Sequence, residues 1–61
     1  MSAILVMNIN MMFEEERNTA DKYDRAFAVQ RKVERMYKRG IITEAEFSEM
    51  TEIISSKMMW E

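Results

Sequence analysis

The chain has no cysteine, no histidine, no proline and a single glycine, Gly40. Each absence removes a class of chemistry. Without cysteine there is neither a disulfide nor a thiolate zinc site, and without histidine there is no imidazole ligand. Ser2, Ser48, Ser55 and Ser56 also lack a histidine base, so the triad logic of acyl transfer cannot be assembled. No proline-rich or glycine-rich linker, low-complexity tract or internal repeat divides the 61 residues, which read as one unit. No apolar run approaches the roughly 20 residues of a membrane span. Residues 3–7 are too short, and lack the basic flank, to be a secretory signal. Cytoplasmic residence is the expectation, with which the absence of cysteine agrees.

Acidic side chains are present, but not in a pattern that holds a metal or does acid/base work. Glu14, Glu15 and Glu16 are consecutive, so on a helix they point in different directions, and no Asp-x-Asp-x-Asp-Gly loop exists. Glu46 and Glu49 are spaced as a pair, yet Glu46 is committed to a helix cap. The residues therefore point to no enzyme, no metal and no cofactor.

The most specific local signal is the run Gly40-Ile41-Ile42-Thr43-Glu44-Ala45-Glu46-Phe47. Gly40 follows Lys38 and Arg39 and suits the left-handed position past a helix end, with the two cations facing the negative end of the helix dipole. Thr43 and Glu46 have the spacing of a capping box, and Ile42 and Phe47 that of a hydrophobic staple. One helix ends here and another begins. Before the junction, Tyr23, Ala26, Val29 or Gln30, Val33, Met36 and Tyr37 recur every three or four residues, with Phe27 at the edge of that apolar face. After it, Phe47, Met50, Ile53, Ile54 and Met58 do the same, and Lys57 sits favourably near the helix end.

Upstream, two starts compete for the first helix: Asn10 can cap a long one, while Asn18, Thr19 or Asp21 can cap a shorter one beginning near Ala20. The long version is preferred because Glu14, Glu15 and Glu16 would then lie near its positive end. Leu5, Met7, Ile9 and Met11 alternate with Val6, Asn8 and Asn10, a period of two that predicts a short β-strand. A lone strand has no partner in the chain and would pair with a second copy, add to another protein's sheet, or pack as an apolar arm. The expected fold is all-α: an N-terminal arm or strand over residues 1–11, then a helical hairpin over 12–61, in an oligomeric assembly.

Residues 33–54 resemble the SHOCT family, a short C-terminal domain of bacterial and phage proteins. The likeness rests on Val33 and Met36, Gly40, Ile42-Thr43, Glu46-Phe47 and Ile53-Ile54. Thr51 stands where the family usually has lysine, and methionine and valine replace leucine. The resemblance implies oligomerisation or protein interaction, in the setting of phage or other mobile elements, and transfers no catalytic residue. Because the motif occupies much of this chain, it implies a standalone accessory protein.

Composition points the same way. A chain this small buries only about 60% of its unfolded surface, and eight methionines supply adaptable apolar contacts. The expected contact residues are Leu5, Met7 and Ile9 in the arm, Phe27, Phe47 and Ile54 on the helix faces, and Met58 and Trp60 near the C-terminal end. The expected partners are a second copy of the chain and another protein.

The charge is patterned, with residues 14–24 carrying −3, residues 25–39 carrying +5 and residues 44–61 carrying −4. The basic middle includes Arg25, Arg31, Lys32, Arg35, Lys38 and Arg39. An accessory factor laying these cations along nucleic-acid phosphates is the competing reading. A solvated face neutralised by the acidic segments is the simpler one.

Overall fold

In a computed structural model that describes residues 2–59, the chain is three helices: α1 (Ala3–Glu15), α2 (Lys22–Lys38) and α3 (Glu44–Met59). Each helix packs against both others in a compact all-α fold. Ser2 reaches Glu49 and Asn10 reaches Lys57, so α1 and α3 run in the same direction. α2 runs against α3, with Gln30 meeting Thr51 and Tyr37 stacked on Phe47.

The junction is built as the sequence predicts. Gly40 has φ +74°, the Ile41 N–H donates to the Met36 carbonyl, and the Gly40 N–H donates to the Tyr37 carbonyl. This is the pair of bonds that satisfies carbonyls at a helix end through a left-handed residue. Three residues on, the Glu46 N–H donates to Thr43 Oγ1 at 3.1 Å and the Thr43 N–H to Glu46 Oε1 at 2.8 Å. Ile42 and Phe47, the two staple positions, are both half-buried and packed against the core.

Two expectations upstream are corrected. Residues 5–11 are not a strand: they lie within α1, and no strand occurs among the described residues. An almost uninterrupted apolar run fits a period of two and a period of 3.6 alike. With no second strand to pair with, only a helix satisfies the backbone internally, and Leu5, Met7, Met11 and Met12 are good helix formers. The proposed boundary between residues 11 and 12 therefore falls inside a helix.

The long first helix from Asn10 is also not formed. α1 stops at Glu15, successive three-residue turns carry the chain through residues 16–19, and α2 starts anew with Asp21 as its cap. The Asp21 carboxylate accepts the Tyr23 N–H at 2.7 Å. Glu14, Glu15 and Glu16 thus sit at the negative end of a helix, where the dipole opposes them and disfavours further extension. Lys32 of α2 offsets this, with its ammonium 3.3 Å from Glu15 and 3.0 Å from Glu16.

Turning back at residues 16–21 lets α1 cover the hairpin. Leu5 and Ile9 join Ala26, Val29 and Val33 of α2 and Met50, Ile53 and Ile54 of α3 in one core. Ile9, Val29, Val33 and Met50 are wholly excluded from solvent.

Candidate functional site

α1 has no charged side chain from Ala3 to Phe13, so after Leu5 and Ile9 face inward, its outer side is still apolar. Ile4, Met7 and Met11 are 69%, 61% and 62% exposed. Their spacing of three and four residues places them on one face of the helix, over two turns. Asn8 and Asn10 flank them, and both are exposed. Among the described residues, this stripe gathers three of the eight large apolar side chains that are exposed. The alternation seen in the sequence contains Met7 and Met11, but only the helical period groups them with Ile4.

A second exposed apolar pair lies on α2. Tyr23 and Phe27 are one helical turn apart, and both are exposed. Each carries a cation: Lys22 Nζ lies 5.3 Å from the Tyr23 ring centre and the Arg31 guanidinium 5.7 Å from that of Phe27. Such contacts place charge beside this apolar pair, whereas α1 carries none from Ala3 to Phe13.

The expected contact residues divide accordingly. Met7 and Phe27 are on the surface. Leu5, Ile9 and Ile54 are not available to a partner, because they form the intramolecular core once α1 is a helix packed on the hairpin. Phe47 and Met58 are half-buried against that core, and Phe47 is stacked on Tyr37 with ring centres 4.7 Å apart. Trp60 lies outside the described residues.

The basic segment divides too. Arg31, Arg35, Lys38 and Arg39 are exposed, whereas Lys32 turns to α1 and is held by its two carboxylates. The Glu16 hydrogen bond, aided by Glu15 and opposed by partial burial, keeps the Lys32 ammonium pKa above its ordinary 10.5. Arg35 and Lys38 lie in the last turn of α2, where cations offset the dipole. Lys32 is thus withdrawn from the proposed nucleic-acid face, and four exposed cations remain of it.

Among the described residues, no group of three or more acids forms a metal-binding cluster, and no helix is long and apolar enough to cross a membrane. Comparison with protein-family models, with curated proteins and with solved structures finds no match to the chain.

Proposed function

We propose that this protein is a non-catalytic interaction module that associates with a second copy of itself and, in that form, binds another protein as an adaptor or inhibitor. The observation that carries this reading is the uncharged outer stripe of α1, Ile4, Met7 and Met11, on a helix packed against the other two. Two copies of a neutral apolar stripe meet without charge repulsion, and burying it removes from water side chains that the monomer leaves exposed. Methionine suits such a surface because its thioether adapts to the opposing shape. The likeness of residues 33–54 to the SHOCT pattern supports placing the chain among small interaction proteins of bacteria, phages and other mobile elements. Action in the cytoplasm belongs to the same proposal.

Sedimentation velocity at micromolar concentration tests it. The parent is expected to run as a dimer or larger species, and the Met7→Glu, Met11→Glu double variant as a monomer of unchanged helicity. A parent that remains monomeric at these concentrations refutes self-association. Nucleic-acid binding through Arg31, Arg35, Lys38 and Arg39 is the competing reading, and it loses support from the engagement of Lys32 with Glu15 and Glu16.

A further inference from the structure

At one end of the bundle, the last turns of α1 and α3 and the first turn of α2 enclose an open cleft of about 670 Å³. Among the described residues, Arg17, Lys22, Arg25 and Lys57 line it together with a single carboxylate, Glu14, a formal surplus of three positive charges. The whole chain carries −2, so the lining of the cleft is opposite in sign to the molecule. Phe13 and Met58 supply an apolar wall, and Asn10 completes the lining.

What holds these cations in place is largely neutral. Lys57 Nζ donates to Asn10 Oδ1 at 2.7 Å and lies 5.2 Å from the Phe13 ring centre. Arg25 donates through Nε and Nη2 to the Thr19 carbonyl, at 3.3 and 2.7 Å. Lys22 lies over the Tyr23 ring, and Arg17 has a carboxylate only at 3.9 Å, from Glu14 on the preceding turn. Lys32, elsewhere on the bundle, is by contrast matched by two carboxylates. Lys22, Arg25 and Lys57 are each partly buried, so they give up hydration without an ion-pair partner among the described residues. The carbonyl ends of α1 and α3 offset part of this charge.

We infer that the cleft is a binding site for a phosphate monoester carried on a small apolar group. Two guanidinium groups offer paired donors to phosphate oxygens, and the two ammonium groups add charge without demanding a fixed geometry. The apolar carrier would lie on Phe13 and Met58. The volume is within the range of small-molecule sites. This inference is independent of self-association, because none of these side chains belongs to the α1 stripe.

The test is a titration of the isotopically labelled full chain with phenyl phosphate, inorganic phosphate and benzyl alcohol, followed by amide NMR shifts. Phenyl phosphate is expected to bind saturably and tightest of the three, shifting amides near residues 10–25 and 57–59, and to weaken as salt is raised. Lys57→Gln should weaken it about tenfold, the effect of losing one charge-assisted hydrogen bond. Arg17→Gln removes a largely exposed side chain and keeps the test valid if Lys57→Gln does not fold; it too should weaken binding. The Arg31→Gln, Arg35→Gln double variant should bind like the parent. Three outcomes overturn the site: equal loss in that double variant, benzyl alcohol binding as well as phenyl phosphate, or binding of a short oligothymidylate without binding of phenyl phosphate.

Discussion

The Lys32 ammonium lies 3.0 Å from the Glu16 carboxylate, joining the middle of α2 to the turn that follows α1. The pair compensates acids placed at the unfavourable end of a helix, and Glu15 shares the same ammonium at 3.3 Å. Lys32→Gln should therefore destabilise the bundle by about 1 kcal/mol at neutral pH. The folded pKa is raised above 10.5, so the contribution is complete below that value and is lost as pH rises through the folded pKa. Urea melts should show the gap between parent and variant closing in the alkaline range. A gap that persists above the folded pKa would show that the effect is packing and not charge.

The reciprocal bonds of Thr43 and Glu46 satisfy two backbone N–H groups at the start of α3. Thr43→Ala should cost about 1 kcal/mol, read as a lower denaturation midpoint with unchanged slope. An unchanged midpoint would mean that the cap contributes nothing beyond hydration.

At Gly40 a Cβ would meet no atom within 4 Å, so any penalty there comes from the backbone alone. Gly40→Asn should be milder than Gly40→Ala, and Gly40→Val the most damaging, because β-branching disfavours positive φ most. Thermal melts of the three variants would check this order, and equal midpoints would sink it.

Ile4 and Ile9 share a helix but differ fully in burial. Ile9→Ala should cost about 2–5 kcal/mol, much of the stability a chain of this size can have, and Ile4→Ala under about 0.5 kcal/mol in the monomer. Chemical denaturation at high dilution would separate them. Similar losses would contradict the placement of α1.

If the basic face of α2 is only a solvated surface, generic duplex DNA should not bind near about 50 mM salt, and charge reversal at Arg31 and Arg35 should leave self-association intact. An electrophoretic shift that those reversals abolish would favour the nucleic-acid reading instead.

The hairpin was legible because its signals are local: Gly40, Thr43 and Glu46 act through bonds spanning a few residues, and the stripes of α2 and α3 interleave apolar with charged positions. α1 was not legible, because an apolar run from Ile4 to Phe13 interrupted only by Asn8 and Asn10 satisfies two periods equally. The acidic triplet misled for a related reason. Its dipole preference argued for a helix start, whereas Lys32, distant in sequence, compensates it at a helix end. The convergence of Arg17, Lys22, Arg25 and Lys57 depends on the reversal at residues 16–21, and so was not to be seen before α1 and α2 were separated. Asn18, Thr19 and Asp21, the alternative caps of a shorter helix, marked that reversal in advance, and the chain uses Asp21.

The methionines of this protein occupy opposite environments, Met50 sealed in the core and Met7 and Met11 on the outer stripe. Oxidants reach the second kind first, and each sulfoxide turns an apolar contact into a polar one. Mild peroxide would thus make the outer face of α1 polar while the core beneath it stays reduced, and methionine sulfoxide reductases would reverse the change. Peptide mass spectrometry should find oxygen on Met7 and Met11 before Met50, so that the polarity of the stripe follows the redox state of its surroundings.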